Sequence, residues 1–310
     1  MPKGSFASRF LSLSLPDKPV EQGCFALTDG LGEHAAPFSI ESLFGADSLL
    51  GPAAPQPESA AAFFDVPAPV YLCDEVTSTF AVAHALAQTG SLPAWGAVLA
   101  SCQTAGRGQL RRRWHSPRGN LYVTVRLPDE PLFRAGAAAL VTGVLLATAF
   151  CRLGYPLQIK WPNDLLNRDH AKAAGILLED RGGVLLAGVG VNLGMLPDAQ
   201  QLRSERAAPA GLLLDTDGKP SALAPFALWQ ALAGEVMSAY RQTFAGATAE
   251  TLPGLVDPFL AWRGEAVAVS DTDGTVLNGR LEGVGSAGGL VLLTSSGRSR
   301  ELVRGSLARA

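Results

Sequence analysis

The apolar positions between Val70 and about Ala261 change repeatedly between strand-like and helix-like spacing. Alternating or short continuous apolar runs predict the strands 70–76, 95–103, 120–127, 157–164 (a strand passing into a loop), 174–180 and 184–194. Longer periodic runs predict the helices 81–90, 135–151 and 221–245, the first with Thr77 and Ser78 as candidate N-caps. The turn Arg181-Gly182-Gly183 joins the last two strands and indicates an antiparallel hairpin.

The sequence on either side of residues 70–261 differs in periodicity and composition. Residues 1–68 show no regular periodicity, and 51–69 contain five prolines among alanines, which is typical of a linker. From Trp262 onward, short strand-like runs are separated by turn signals such as Asp273-Gly274, and this spacing predicts a small β-barrel of SH3-like size. We therefore expect three parts: an N-terminal extension with a proline-rich linker over 1–68, a central domain over 69–261, and a C-terminal barrel over 262–310.

Charge and hydropathy exclude several classes of protein. The 25 Lys and Arg against 28 Asp and Glu give a net charge of −3, whereas a protein that coats nucleic acid usually has a basic excess. The uncharged run Ala135 to Cys151 contains glycine and threonine and predicts a buried helix rather than a membrane span. The N-terminus has no secretory signal pattern, and four scattered cysteines favour reduced thiols. We expect a soluble, cytoplasmic protein.

The strongest chemical signal is the loop Gly106-Arg107-Gly108-Gln109-Leu110-Arg111-Arg112-Arg113-Trp114, which follows a predicted strand. Glycines allow backbone amides to approach an anion closely, and clustered guanidinium groups supply forked donors for phosphate. A solvated run of arginines is the alternative interpretation. The flanking glycines and the preceding strand favour a phosphate-binding loop.

Three further motifs carry polar residues at strand ends. In Lys160-Trp161-Pro162-Asn163-Asp164, Lys160 suits phosphate and Asp164 suits a magnesium ion, although the string is also ordinary turn chemistry. Lys172 immediately precedes a strand of small residues. Glycines alternate with valines in 188–191 ahead of Asn192, which indicates either a ligand approaching the strand or tight packing.

In this order the motifs resemble those of the biotin protein ligases, from about Val70 to the C-terminus. The matching strings are Thr77-Ser78-Thr79, the loop from Gln103 to Trp114, Lys160 to Asp164, Lys172 to Leu177, and Gly190-Val191-Asn192. The resemblance implies a class II synthetase-like α+β fold, with a central mixed or antiparallel sheet, flanking helices and a C-terminal SH3-like barrel. It further implies ATP and Mg²⁺, biotin as the substrate, biotinyl-5′-AMP as the intermediate, and a biotin carboxyl carrier protein or domain as the acceptor.

The family motifs assign residues of this chain to three roles. The expected catalytic residues are Lys172 and Arg107. The expected biotin contacts are Ser78, Thr79, Phe80, Gln103, Arg107, Gly108, Gln109 and Lys172. The expected ATP contacts are Arg107, Gly108, Trp114, Lys160, Asn163, Asp164 and Asn192, with Asp164 also expected to bind Mg²⁺. Phe80, Gln109 and Arg111 stand where the family often has Asn, Arg and Gly, and these departures bear on affinity and on retention of the adenylate.

The resemblance leaves neighbouring functions open. Lipoate protein ligases share the catalytic fold and also activate a carboxylate through AMP, and Phe80 keeps that alternative open. A biotin-binding protein without ligase activity would bind biotin without turning over ATP. Some members of the family repress transcription through an N-terminal DNA-binding domain, but the three basic and eight acidic residues of 1–68 disfavour DNA binding here. A homodimer formed through a sheet edge has family precedent, and the sequence does not decide it.

Overall fold

The computed structural model describes residues 12–14, 24–28, 68–109, 112–134, 136–197, 208–244, 246–271 and 273–310. The larger sheet has nine strands: β1 (Ser12–Ser14), β2 (Cys24–Thr28), β3 (Val70–Val76), β4 (Ala97–Gln103), β5 (Leu121–Arg126), β6 (Gln158–Lys160), β7 (Asp164–Leu166), β8 (Lys172–Arg181) and β9 (Val184–Val191). Their spatial order is β1-β2-β3-β4-β5-β9-β8-β7-β6. Strands β3 and β4 pair in parallel and the other neighbours pair antiparallel, so the predicted mixed sheet is confirmed.

Five α-helices accompany this sheet in the described part of the chain: α1 (Thr79–Gln88), α2 (Pro131–Arg134), α3 (Ala138–Arg152), α4 (Pro225–Ala239) and α5 (Leu252–Val256). A π-helical turn, Tyr240–Phe244, continues α4, and a 3₁₀ turn, Ala249–Thr251, precedes α5. Helix α1 begins where Ser78 accepts the backbone N–H of Phe80 at 3.3 Å, which confirms Ser78 as its N-cap. It forms the crossover that a parallel pair such as β3 and β4 requires.

The sheet is covered differently on its two faces. Helices α3 and α4 bury one face, where Gly143 on α3 lets Ile159 and Ile176 pack closely against the helix. Helix α1 covers part of the other face, with Phe80 and Leu86 packed in a second apolar cluster. The hairpin of β8 and β9 closes as predicted, because Gly182 and Gly183 both have positive φ, as a tight turn between antiparallel strands requires.

The C-terminal part forms a separate five-stranded antiparallel sheet of β10 (Ala266–Ser270), β11 (Val276–Val284), β12 (Leu290–Leu293), β13 (Ser299–Leu302) and β14 (Ser306–Arg309). Its order is β13-β12-β11-β10-β14. The described residues show no pairing of β13 with β14, so closure into the expected barrel stays a prediction. The Trp161 indole donates to the Gly288 carbonyl oxygen at 3.0 Å, and the main apolar cluster runs from Trp161 into Leu290 of this sheet.

The structure differs from the sequence predictions at several elements. Two short strands, β1 and β2, extend the sheet from a segment predicted to be irregular, because β2 pairs with the free edge of β3. The helix predicted at 135–151 begins at Ala138 and is preceded by the short α2. The proline-rich linker as far as residue 67, and Arg111 in the arginine loop, lie outside the described residues. Among the described helices, none combines the length and apolar character needed to cross a membrane.

Candidate functional site

Three polar residues meet where β3 passes into α1 and β4 ends beside it. The backbone N–H of Thr79 donates to Gln103 Oε1 at 2.9 Å, and its hydroxyl lies 3.3 Å from the same oxygen. The Gln103 amide donates to Ser116 Oγ at 2.9 Å, and Thr124 Oγ1 donates to Thr79 Oγ1 at 2.7 Å. Ser78 caps α1 immediately beside them. The predicted biotin contacts Thr79 and Gln103 are thus hydrogen-bonded to each other, and Ser78 is the residue next to Thr79.

Phe80 lies apart from this polar group, inside the apolar cluster beneath α1. Its ring packs over Gly188 of β9, where an added Cβ would lie 2.4 Å from Phe80 Cε2. Since Phe80 is buried, its side chain contributes apolar packing between α1 and the sheet. The close approach of a side chain explains the glycine that the sequence analysis singled out in β9.

The loop after β4 forms one wall of an open cleft of about 640 Å³. Gly106 lies against Trp114 and Ser116, where an added Cβ would be 2.5 Å from Ser116 Oγ. The Gly108 amide donates to the Arg112 carbonyl oxygen at 2.8 Å, so the loop is tied back on itself. The cleft lining is basic, and its charged residues are Arg107, Arg112, Arg113, Arg181 and Glu179. Gln109 accepts the Arg112 amide through its carbonyl oxygen, and its side chain is half-buried.

Trp114 places its indole flat on the sheet beside this cleft. A Cβ on Gly190 would lie 2.6 Å from the indole Nε1, and a Cβ on Gly175 would lie 2.9 Å from Cζ3. The glycines of β8 and β9 therefore make room for this ring. The Lys172 Nζ lies 5.0 Å from the ring centroid, within the range of a cation–π contact. The buried Trp114 Nε1 has no hydrogen-bond partner among the described residues, which leaves one donor free at the centre of the site.

Two lysines share a single carboxylate at the start of β7. Lys172 Nζ lies 2.5 Å from Asp164 Oδ1, and Lys160 Nζ lies 3.6 Å from Asp164 Oδ2. Lys160 is only 3% exposed, and burial lowers its pKa from the usual value while Asp164 opposes that shift. Two ammonium groups against one carboxylate leave a net positive charge, which suits an anionic ligand.

The two asparagines predicted to contact ATP have their amide groups engaged with the backbone. Asn163 Nδ2 donates to the Ile176 carbonyl oxygen at 2.6 Å. Asn192 Nδ2 donates to the carbonyl oxygens of Lys172 and Gly211, each at 3.1 Å. Both side chains are buried, so in this structure they fix the strands that carry Lys172 and Asp164.

The donor set around Asp164 does not fit a resident magnesium ion. Both carboxylate oxygens face lysine ammonium groups, and the described residues contain no group of three or more His, Cys, Asp or Glu side chains that could hold a metal. A metal ion held mainly by protein would need further oxygen ligands. The role of Asp164 as a Mg²⁺ ligand stays a prediction, and the observed contacts are those of an ion-pair partner.

Two residues that sequence reasoning missed organise the site. Asn120 is 2% exposed, and its Oδ1 accepts the N–H groups of Leu193, Gly194 and Met195 in succession. It thereby fixes the chain that follows Asn192. Glu179 on β8 accepts Arg107 through both carboxylate oxygens, at 3.0 and 3.1 Å. The position of Asn120 at the end of the Arg118-Gly119 turn was a signal for the first, whereas nothing near Glu179 in the sequence signalled its partners.

Contacts therefore connect most of the predicted polar site residues to one another, whereas Arg107 makes its side-chain contacts elsewhere. Contacts run from Ser78 and Thr79 through Gln103 and Ser116 to Trp114, and from there through Lys172 to Asp164 and Lys160. Arg107 instead points to Glu179 on β8.

Comparison with known proteins assigns the region that contains these residues to a protein family. The profile of the "Biotin/lipoate A/B protein ligase family" matches residues 73–195. The biotin–[acetyl-CoA-carboxylase] ligase of Paracoccus denitrificans is 34% identical over 238 residues, covering 71% of this chain and 92% of its own length. The bifunctional ligase/repressor BirA of Escherichia coli is 38% identical over 121 residues, which are 36% of this chain and 37% of that protein.

A solved structure extends the similarity to the fold. The biotin protein ligase of Aquifex aeolicus, determined in complex with biotin and ATP, is 25% identical and superimposes with a TM-score of 0.61. The match covers 78% of this chain and 99% of that one. A relative this similar over most of both lengths, with motifs that meet in space, leads to one conclusion: the chain belongs to the biotin protein ligase family and is a ligase.

Proposed function

We propose that this protein is an ATP-dependent biotin protein ligase that acts in two steps. In the first, a carboxylate oxygen of biotin attacks the α-phosphorus of ATP, the bond to the β-phosphate breaks, and pyrophosphate leaves with biotinyl-5′-AMP formed. In the second, a lysine amine of a biotin carboxyl carrier protein attacks the acyl carbon, and AMP leaves as the amide forms and the amine loses a proton. The observation that carries this proposal is the continuous contact path from Gln103 through Trp114 and Lys172 to Lys160.

The charges at the two ends of that path suit the first step. A carboxylate and a triphosphate repel each other, so bringing them together requires positive charge fixed in place before they arrive. Lys172 is held by Asp164, and its ammonium group lies beside the indole of Trp114. We assign Lys172 to the biotin carboxylate and the reacting phosphate, and the buried Lys160 to the phosphate side.

The uncharged group formed by Ser78, Thr79 and Gln103 suits the polar head of biotin. Hydroxyl and amide groups can donate to and accept from a neutral ureido ring. Hydrogen bonds between Thr79 and Gln103, and from each to Thr124 or Ser116, hold those two residues in position. The Phe80 ring packs on Gly188 in the apolar cluster beneath α1, so it holds the helix that carries Thr79 against the sheet. Biotin would then lie along the face of the sheet with its carboxylate directed to Lys172.

Mg²⁺ enters this proposal as part of the ATP complex rather than as a resident ion. Magnesium usually keeps several waters and binds through substrate phosphates with one or two carboxylates. The single carboxylate at Asp164, already paired with two lysines, agrees with that division. ATP binding by the Aquifex aeolicus relative supports the nucleotide assignment.

The decisive experiment is biotin-dependent ATP–pyrophosphate exchange with the purified protein, with lipoate as a parallel substrate. Exchange with biotin alone supports carboxylate activation as proposed, and transfer of biotin to a purified carrier domain then tests the second step. Exchange with lipoate alone would move the function to lipoate ligation. Thermal stabilisation by biotin without exchange would identify a binding protein that lacks ligase activity.

A further inference from the structure

Glu179 is the meeting point of three side chains that come from different elements. Its carboxylate accepts Arg107 from the loop through both oxygens, and Arg181 on the same strand at 3.1 Å. His84 on α1 lies 3.4 Å from Oε2, and burial lowers the pKa of its ring while the hydrogen bond to Glu179 opposes that shift. Arg107 and Arg181 therefore supply the positive charge next to Glu179.

The two arginines differ in what holds them near Glu179. Arg181 lies two residues further along β8, on the same face, so it remains a neighbour wherever the loop lies. Arg107 reaches Glu179 only because the loop after β4 lies against β8. The Arg107–Glu179 pair is thus the contact in this cluster that depends on loop position.

This contact holds Arg107 at a distance from Lys172. The Lys172 Nζ lies by Gly175, 3.1 Å from where a Cβ of that glycine would be. Glu179 is four residues further along β8 on the same face, about 13 Å away at roughly 3.3 Å per residue. While Arg107 is bound to Glu179, its guanidinium group is therefore held further along β8 than Lys172 rather than beside it.

We propose that Glu179 is a positioning residue that restrains Arg107 in the free protein, and that the phosphate of the bound adenylate replaces the Glu179 carboxylate as the partner of Arg107. This inference rests on the proposed function. The consequence is thermodynamic. The apparent affinity for the adenylate is the intrinsic affinity multiplied by the fraction of molecules in which Arg107 is free. Removing the Glu179 carboxylate raises that fraction, so a substitution of Glu179 should strengthen binding of the adenylate.

The test compares the affinity of purified variants for biotinol-5′-AMP, a non-reactive analogue of biotinyl-5′-AMP, by calorimetry. Glu179→Gln keeps the size of the side chain and removes its charge. We expect its dissociation constant to fall about three- to fivefold, the scale of a partly exposed ion pair. In a protein that already carries Arg107→Ala, adding Glu179→Gln should leave the affinity for the analogue unchanged. Glu235→Gln is the matched control, because it removes the same charge from the Arg152–Glu235 pair between α3 and α4.

A merely structural role for Glu179 predicts the opposite sign, because a loosened site binds more weakly. Unchanged or weaker binding by a folded Glu179→Gln variant overturns the inference, as does a gain that persists without Arg107. If Glu179→Gln fails to fold, Glu179→Asp carries the test with a smaller expected gain, and no gain overturns the inference. Failure of the unaltered protein to bind the analogue refutes the proposed function itself, which separates the two failures.

Discussion

Replacing Gly190 by alanine tests whether the sheet sets the position of the Trp114 indole. The new Cβ would lie 2.6 Å from Nε1 and Cε2 of the indole, whereas ordinary contacts begin at 3.4 Å, so the ring must move by about 0.8 Å. Gly190 is absent from the glycines with positive φ, so alanine fits the backbone and the effect comes from the ring alone.

The displacement should cost little stability and much activity. Overpacking typically costs about 1–3 kcal/mol, and we expect about 1 kcal/mol because Trp114 and Gly190 are both partly exposed and the ring can tilt outward. A loss of that size lowers the Tm by about 1–2 °C, because the unfolding entropy of about 2.1 cal/mol/K per residue is summed over 310 residues. Catalysis is more sensitive, because a misplacement of about 1 Å can lower a rate about 100-fold. Lys172, 5.0 Å from the ring centroid, would lose its neighbour.

The measurement is kcat/KM for biotin-dependent ATP–pyrophosphate exchange, together with thermal unfolding of the same preparation. Gly143→Ala is the matched control: its Cβ on α3 would lie 3.4 Å from Ile159 on the opposite face of the sheet. That variant should exchange within about twofold of the unaltered protein, since alanine favours a helix. A folded Gly190→Ala variant with exchange close to that of the control would refute the reasoning that the indole position matters.

Three further changes have expected outcomes. Lys172→Ala should lower exchange by at least about 100-fold, which is the usual effect of losing one donor to developing charge. The fold should stay intact because Lys172 is partly exposed. Exchange equal to that of a Lys219→Ala control would contradict the proposed role of Lys172. Arg107→Ala should let biotinyl-5′-AMP escape, so that avidin blots show biotin on bystander proteins; equal retention would contradict the loop's role in holding the adenylate. Burial, and then a hydrogen bond to Glu75, raise the pKa of Cys102 to about 11, so iodoacetamide should alkylate the exposed Cys151 first; mass spectrometry showing Cys102 modified first would contradict this.

The sequence predicted best where the cause is local. The Ser78 cap, the Gly182-Gly183 turn and the Lys172 strand depend on a few adjacent residues, and the structure has all three. The glycines at 188 and 190 were recognised as signs of a close approach, although the sequence could not say what approaches. The structure answers with Phe80 and Trp114.

The sequence predicted least where the partners are distant along the chain. Arg107 and Glu179 are 72 residues apart, and no spacing rule connects a glycine-rich loop to the middle of a later strand. The Asn192 amide donates to the Lys172 and Gly211 carbonyl oxygens, and only the fold brings those groups together. Its contact with ATP stays a prediction.

The hydrogen bond from the Trp161 indole to the Gly288 carbonyl oxygen crosses from the residue next to Lys160 into the C-terminal sheet. Trp161 is 2% exposed, and the apolar cluster around it continues into Leu281 and Leu290 without a break. Separating the two sheets would open this shared core and expose a buried donor to water at the same time. Because the two sheets share this core, we expect heat or denaturant to melt them in one cooperative transition, in which Lys160 loses the packing around its neighbour Trp161.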